Sequence, residues 1–250
     1  MISRSQTRAR ESPIVYESVE GVNIAVDRVY DVYVDGRYEG SLVAMPTMIE
    51  EAALGYAITR GYPAKEARIT VVEDRINIEL RGSSTSRNKR AMFPGECGQP
   101  AQAPTQDARE APRVDWNIIM GIIRDFADKT ASRRYRIAAH TVAYYTPTGI
   151  LEALVHDTSR HTAMLKLLGL KVKGEIKQGP GIVASTGRAS ADIVYATSLA
   201  GASVLITLRG PLASGYKAAR KLGIMLVANT RTRDGREFRI LTGNMVIVDR

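Results

Sequence analysis

Arg188, Arg209 and Arg231 each follow a short apolar run and sit among small or hydroxyl residues: Thr186-Gly187-Arg188-Ala189-Ser190, Arg209-Gly210-Pro211 and Asn229-Thr230-Arg231. A guanidinium presents forked N–H donors that match phosphate oxygens in pairs. The chemistry this pattern suits is anion binding. Any one of these turns alone reads as an ordinary turn with a solvated arginine, but three on one edge of a sheet favour a shared ligand. A second group is His156-Asp157-Thr158-Ser159-Arg160-His161, where Arg160 and His161 stand at a helix start and could help to hold an anion. The same residues also read as an Asp and Ser cap with solvated neighbours. The third candidate is Cys97, the only cysteine, in Pro94-Gly95-Glu96-Cys97-Gly98. A thiolate in an accessible, basic setting is a nucleophile, whereas filler cysteines are usually buried in apolar surroundings.

The three histidines, His140, His156 and His161, fall on one expected hairpin and the turn after it, with His140 and His156 facing each other across the strands. Three imidazoles and a water form a known zinc pattern, but nothing in this spacing fixes a tetrahedron. The zinc deaminase signature is absent, and a single cysteine excludes an internal disulfide and any site needing two thiolates. No structural metal is expected.

The arginine turns need a scaffold that gathers them. Gly181–Ser185, Val204–Leu208 and Ile224–Ala228 are uninterrupted apolar runs, separated by helical stretches at Ala191–Ala200, capped by Ser190, and Leu212–Leu222, stopped by Gly223. Apolar strands alternating with helices of about ten residues indicate parallel strands covered on both faces. Ligands of such sheets bind beyond the carboxyl ends of the strands, where all three turns lie.

Upstream, Val22–Val43 reads as a hairpin about Asp35-Gly36, Thr47 and Glu50 as a capping box for a helix closing at Gly61, and Ile69–Val72 and Ile76–Leu80 as strands. Asp115–Ala127 is an amphipathic helix. His140–Tyr145 and Ile150–Val155 form a hairpin, Thr162–Leu168 a helix ended by Gly169, and Arg236–Val248 a final hairpin. The regular pattern lapses from Gly82 to Pro112, which reads as a mobile loop. The expected organisation is 1–81, strands plus one helix; 82–112, a loop carrying Cys97; and 113–250, an α/β core.

The chain of 250 residues carries a net charge of +9 and a pI near 9.7, which suits an anionic partner. Nucleic acid is a poor candidate for that partner, because the charge is spread and no basic stretch is interleaved with aromatics. No segment is apolar enough for a signal peptide or a membrane span, so a cytoplasmic protein is expected.

Taken together, these blocks resemble the formate dehydrogenase accessory protein family, FdhD. Pro46 to Gly61, with Glu50, Glu51, Ala53, Leu54 and Gly55, is similar to the family's amino-terminal block, a Pro followed by an acidic helix ending in A-L-G. His140 matches its central histidine, although Ala138 and Ala139 replace the usual small or hydroxyl residues. Asp157, Arg160, His161, Ala163, Lys166 and Gly169 match the E-D-V-G-R-H block and its helix, with His156 in place of glutamate. Gly187, Arg188 and Ser190 match an S-G-R-x-S turn, and Arg209 to Leu212 partly keeps an S-A-P-T turn. The reactive C-G-x-C-G loop keeps one cysteine. Cys97 is the second if Gly95, Cys97 and Gly98 are matched, and the first if Cys97-Gly98 opens the motif.

The resemblance implies a cytidine-deaminase-like three-layer core, with parallel strands in the carboxyl half and a smaller β-rich amino-terminal part. It implies a homodimeric sulfurtransferase that takes sulfur from a cysteine desulfurase as a persulfide on Cys97. The sulfur would pass to the molybdenum bis(guanine dinucleotide) cofactor, bound before delivery to formate dehydrogenase. Cofactor-binding residues would be His140, Asp157, Arg160, His161, Gly187, Arg188, Ser190, Arg209 and the loop Asn229, Thr230, Arg231, Thr232, Arg233 and Asp234, with Arg231 and Arg233 as phosphate donors. The alternative is a cofactor-binding chaperone that has lost sulfur transfer, because release by disulfide formation is closed to a single cysteine.

Overall fold

The structure is a computed structural model, described here for residues 9–80, 114–176, 179–230 and 239–242. In chain order the strands are β1 (Arg10–Glu11), β2 (Tyr16–Val19), β3 (Val22–Ala25), β4 (Arg28–Val34), β5 (Arg37–Ala44), β6 (Arg68–Val72), β7 (Arg75–Glu79), β8 (His140–Tyr145), β9 (Leu151–Asp157), β10 (Gly181–Ser185), β11 (Ala202–Thr207), β12 (Met225–Ala228) and β13 (Arg239–Thr242). The helices are α1 (Ile49–Thr59), α2 (Trp116–Lys129), α3 (Ala131–Arg134), α4 (Arg160–Val172), α5 (Ala191–Leu199) and α6 (Ala213–Leu222).

The expected parallel unit is present: β10, β11 and β12 pair in parallel, with α5 and α6 as crossovers. They form the centre of a seven-stranded mixed sheet in the order β1-β9-β8-β10-β11-β12-β13, in which β8 runs antiparallel to both β9 and β10. Every residue of β10 and β12 is buried, as strands covered on both faces require. On one face, Val142, Tyr144, Val155, Leu205 and Leu226 pack against Leu167 of α4, Ile193 of α5 and Leu222 of α6. On the other, Ile119, Ile122, Ile123 and Phe126 of α2 cover Tyr145, Leu154, Ile182, Ile206 and Val227. This gives a three-layer mixed α/β core.

The amino-terminal strands form a second, four-stranded sheet, β5-β4-β7-β6, whose inward residues Tyr30, Val32, Val34, Ile76 and Ile78 close over α1. Helix α1 lies directly on α4. Two glycines allow this: a Cβ at Gly55 would stand 2.0 Å from the Leu165 carbonyl oxygen, and one at Gly169 2.1 Å from that of Glu51. Gly169 therefore does not end the helix as expected. Helix α4 continues to Val172, and Gly169 is the point of closest backbone approach.

Two expected caps are also corrected. Met48, with φ 53°, is the N-cap of α1 and no side chain caps it, because Thr47 donates to the Pro13 carbonyl and Glu50 lies 3.4 Å from Lys173. Ser190 occupies the N-cap position of α5, but its hydroxyl caps no backbone N–H. Asp115, by contrast, caps α2 by accepting from Asn117 N at 2.8 Å. Among the described residues no helix is long and apolar enough to cross a membrane.

An alanine inside a helix normally gains about 0.5–1 kcal/mol over glycine. Here the sign reverses, because the new Cβ would meet backbone that has no rotamer to move. Gly55→Ala and Gly169→Ala should each cost about 1–3 kcal/mol or more, read as lowered urea midpoints at unchanged m-value.

Candidate functional site

The antiparallel insertion of β8 decides which residues meet at the carboxyl edge of the parallel strands. Ser185, the last residue of β10, pairs with Val142, so the start of β8 and the end of β9 arrive beside the β10–α5 turn. His140 then lies against Thr186, with Nδ1 3.1 Å from Oγ1. Thr186 Oγ1 also accepts from Thr141 N at 3.0 Å, which locks the two turns together.

Helix α4 begins at the same edge, capped by Ser159, and presents Arg160 and His161 in its first turn. His161 Nε2 contacts the Asp192 carboxylate in the first turn of α5, so the amino ends of two helices are tied side by side. Burial raises the Asp192 carboxyl, but the hydrogen bond and charge of His161 outweigh it and hold the group below the usual carboxylate value. The Arg160 side chain runs over Gly187, where a Cβ would come within 3.1 Å of its Cδ. Arg209 leaves the end of β11, and its carbonyl accepts from Asn229 N at 3.3 Å. Asn229 adopts a left-handed φ of 61°, and its Oδ1 closes on Gly210, 3.1 Å from where a Cβ would stand.

The rim is thus cationic and lined by small residues. Burial lowers the His140 imidazole below its ordinary value, and Arg160, His161 and Arg209 push it further the same way, so the ring is neutral at neutral pH. Among the described residues Arg160 Nε is a buried polar atom with no hydrogen-bond partner, and Ser190 Oγ, also buried, lies close enough to Asp192 to help lower its carboxyl. Buried donors of this kind are ordinarily satisfied, so Arg160 Nε is an atom that a polar ligand could meet. Arg188 is exposed in the β10–α5 turn, and Arg209 is exposed as well.

Of the expected residues, the structure brings His140, Arg160, His161, Gly187, Arg188, Ser190, Arg209 and Asn229 to one edge. Thr230 lies there but is buried, and its hydroxyl donates to the Thr207 carbonyl at 3.2 Å, fixing the turn. Asp157 is placed differently. It is fully buried beneath the rim, its carboxylate 2.6 Å from Lys166 Nζ and accepting also from Met45 N and Ser159 N. Lys166 in turn donates to the Met45 carbonyl at 3.0 Å. Burial pushes the Asp157 carboxyl up and the Lys166 amine down, against the attraction between them. Asp157 is an anchor for α4 and does not face a ligand.

His140 and His156 do not face each other. The register pairs His140 with Asp157 and Thr141 with His156, which puts the two imidazoles on opposite faces of the sheet. His156 is buried under α3, with Nδ1 3.0 Å from Thr141 Oγ1. Among the described residues no group of three or more histidine, cysteine or acidic side chains could hold a metal ion. Cys97 and the loop residues Arg231, Thr232, Arg233 and Asp234 lie outside the described residues. Sequence reasoning gave no site role to Thr186 and Lys166, which it quoted only within motifs, and missed Asp192. Only Asp192 had a local signal, an acid in the first turn of a helix after a serine.

Lys166→Met strands a carboxylate in the core and should cost about 3–5 kcal/mol. Adding Asp157→Asn removes the stranded charge, so the double variant should unfold at higher urea than Lys166→Met alone. Equal midpoints would mean that the pair is not a buried ion pair.

The sequence profile of the FdhD/NarQ family matches residues 25–248. A protein of Agrobacterium fabrum named sulfur carrier protein FdhD is 28% identical over 226 residues, covering 83% of this chain and 82% of its own. Protein FdhD of Methanocaldococcus jannaschii is 23% identical over 208 residues, covering 83% and 84%. A crystal structure described as that of a formate dehydrogenase accessory protein of Desulfotalea psychrophila superposes with a TM-score of 0.66 at 21% identity, over 93% of this chain and 96% of that one, and so shares the fold. With the profile matched over nearly its whole length, this chain belongs to the FdhD/NarQ family.

Proposed function

We propose that this protein is a sulfur carrier for formate dehydrogenase maturation, in which the cationic rim holds a phosphorylated, guanine-bearing cargo and Cys97 carries the sulfur. The name sulfur carrier protein borne by relatives that span most of the chain supports the first part. The observation that carries the second is Arg160, whose Nε is buried and, among the described residues, unpartnered at the meeting point of two helix amino ends, beside His140 and Arg209. Such an edge suits phosphate: N–H groups, guanidinium forks and small residues converge there, and Gly187 and Gly210 leave room for the Arg160 and Asn229 side chains.

The cargo in this reading is the molybdenum bis(guanine dinucleotide) cofactor. Arg160, Arg188 and Arg209 would take its phosphates, with Arg231 and Arg233 from the following loop, while Ser190, Asn229 and His140 offer polar contacts. The cofactor would supply the metal that accepts sulfur. Cys97 thiolate attacks the outer sulfur of a desulfurase persulfide, the donor cysteine leaves as thiolate, and Cys97 becomes the persulfide. On delivery Cys97 would be the leaving group, returning to thiolate, and the two electrons that turn the outer sulfur into sulfide would have to come from the reduced metal the cofactor would supply or from an added thiol reductant. A homodimer and a cytoplasmic location complete the reading.

One feature of the sequence favours a second reading, a chaperone that binds the cofactor without transferring sulfur: Cys97 has no second cysteine to release its sulfur as a disulfide. Both readings need the rim. Calorimetric titration should show guanosine diphosphate binding in preference to adenosine diphosphate at constant salt. Arg160→Gln should weaken it about tenfold to a hundredfold, the worth of a charge-assisted hydrogen bond. Equal binding of the two nucleotides, or binding untouched in Arg160→Gln and Arg209→Gln, would overturn the assignment of the rim.

A further inference from the structure

The turn between β10 and α5 is held by hydroxyls as well as by its backbone. Gly187 N–H donates to Ser185 Oγ at 3.1 Å. Thr186 is clamped to β8 twice: its N–H donates to the Thr141 carbonyl at 3.0 Å, and its Oγ1 accepts from Thr141 N at 3.0 Å. Thr141 is fully buried, and its own hydroxyl accepts from Ala131 N at 2.8 Å. The backbone of a buried strand therefore fixes where Thr186 Oγ1 stands.

A threonine hydroxyl has one proton to give. Two acceptors lie within reach of Thr186 Oγ1: His140 Nδ1 at 3.1 Å and the Thr141 carbonyl at 3.4 Å. The carbonyl is the farther of the two and already takes the Thr186 N–H. Were the proton given there, Nδ1 would have to carry the ring proton and bring a second N–H onto Oγ1 beside that of Thr141. The shorter contact and the even spread of donors place the hydroxyl proton between Oγ1 and Nδ1. A ring whose Nδ1 accepts carries its proton on Nε2.

We infer that Thr186 is a positioning residue for the rim: by donating to Nδ1 it fixes His140 as the Nε2–H tautomer, so that His140 offers the cargo a hydrogen-bond donor that is not a cation. This role rests on the reading of the rim as the cargo site. Thr186 touches no cargo itself and acts only through the imidazole. Burial first, then Arg160, His161 and Arg209, lower the His140 imidazole, which disfavours a second ring proton and leaves the contact at Nδ1 to decide the tautomer. The group that uses the Nε2 donor is an oxygen acceptor, which a phosphate and a guanine carbonyl both supply.

Long-range proton–nitrogen correlation spectra of the full chain read the tautomer directly, because bare and protonated ring nitrogens have well-separated shifts; His140→Gln assigns the signals. The wild type should show Nε2–H, Thr186→Ser should keep it, and Thr186→Val should lose it. Calorimetric titration should show guanosine diphosphate binding about threefold to tenfold weaker in Thr186→Val and restored in Thr186→Ser, the worth of one hydrogen bond. In a His140→Leu background Thr186→Val should have no further effect, because a residue that acts through the imidazole has nothing left to act on. Inorganic pyrophosphate weakened to the same degree by Thr186→Val identifies a phosphate oxygen as the acceptor, and pyrophosphate binding untouched identifies the guanine carbonyl. An Nδ1–H signature in the wild type, or additive losses in the double variant, overturns the role. Should Thr186→Val not fold, the wild-type spectrum still decides. Absence of guanosine diphosphate binding to the wild type is a failure of the rim itself, told apart because the spectra need no ligand.

Discussion

Asp157 and Lys166 meet 2.6 Å apart with both side chains fully buried, and most of what surrounds the site depends on that pair. Two charges removed from water are tolerable only if their remaining hydrogen-bonding capacity is met. Met45 meets it from both sides, giving its N–H to the carboxylate and its carbonyl to the ammonium, while Ser159 N–H adds a third contact. The end of β9, the start of α4 and the segment leading into α1 are thereby fixed to one another. With α1 held there, Gly55 and Gly169 bring the two helices into backbone contact. Helix α4 has little freedom to slide, and Arg160 and His161 are delivered to the sheet edge from a fixed base.

At that edge the constraint changes from burial to charge. Arg160, His161 and Arg209 crowd a small space, and burial first, then these charges, lower the imidazole of His140. Asp192 is the carboxylate that contacts His161, and that contact joins the amino ends of α4 and α5. Concentrated positive character around an Arg160 Nε that has no partner among the described residues is costly, and this is why the proposed cargo is an anion. The stability–function compromise is local, since the buried pair beneath the rim is internally satisfied.

The parallel core was legible in the sequence because a strand buried on both faces has no alternation to disguise it, and the turns of Arg188 and Arg209 could be placed from strand order alone. The local readings failed where tertiary structure claimed the residue for another purpose. Gly169 has the composition of a helix stop, yet its value is the missing Cβ under Glu51. Thr47 and Glu50 have the spacing of a capping box, but one bonds Pro13 and the other approaches Lys173. Asp157 is a site residue only by what the family resemblance implies, and its partner Lys166 lies nine positions on, at no diagnostic spacing. The histidines show the limit on register: a bulge between Tyr144 and Tyr145 shifts the hairpin by one residue and sends His140 and His156 to opposite faces.

The central claim, that a family member with one cysteine still carries sulfur, is tested most directly by the intact mass of the purified protein after incubation with a cysteine desulfurase and cysteine. The account predicts a reducible gain of one sulfur atom that is absent from Cys97→Ala. No gain, with a desulfurase shown to be active on another acceptor, would contradict it and leave the rim to serve a cofactor chaperone.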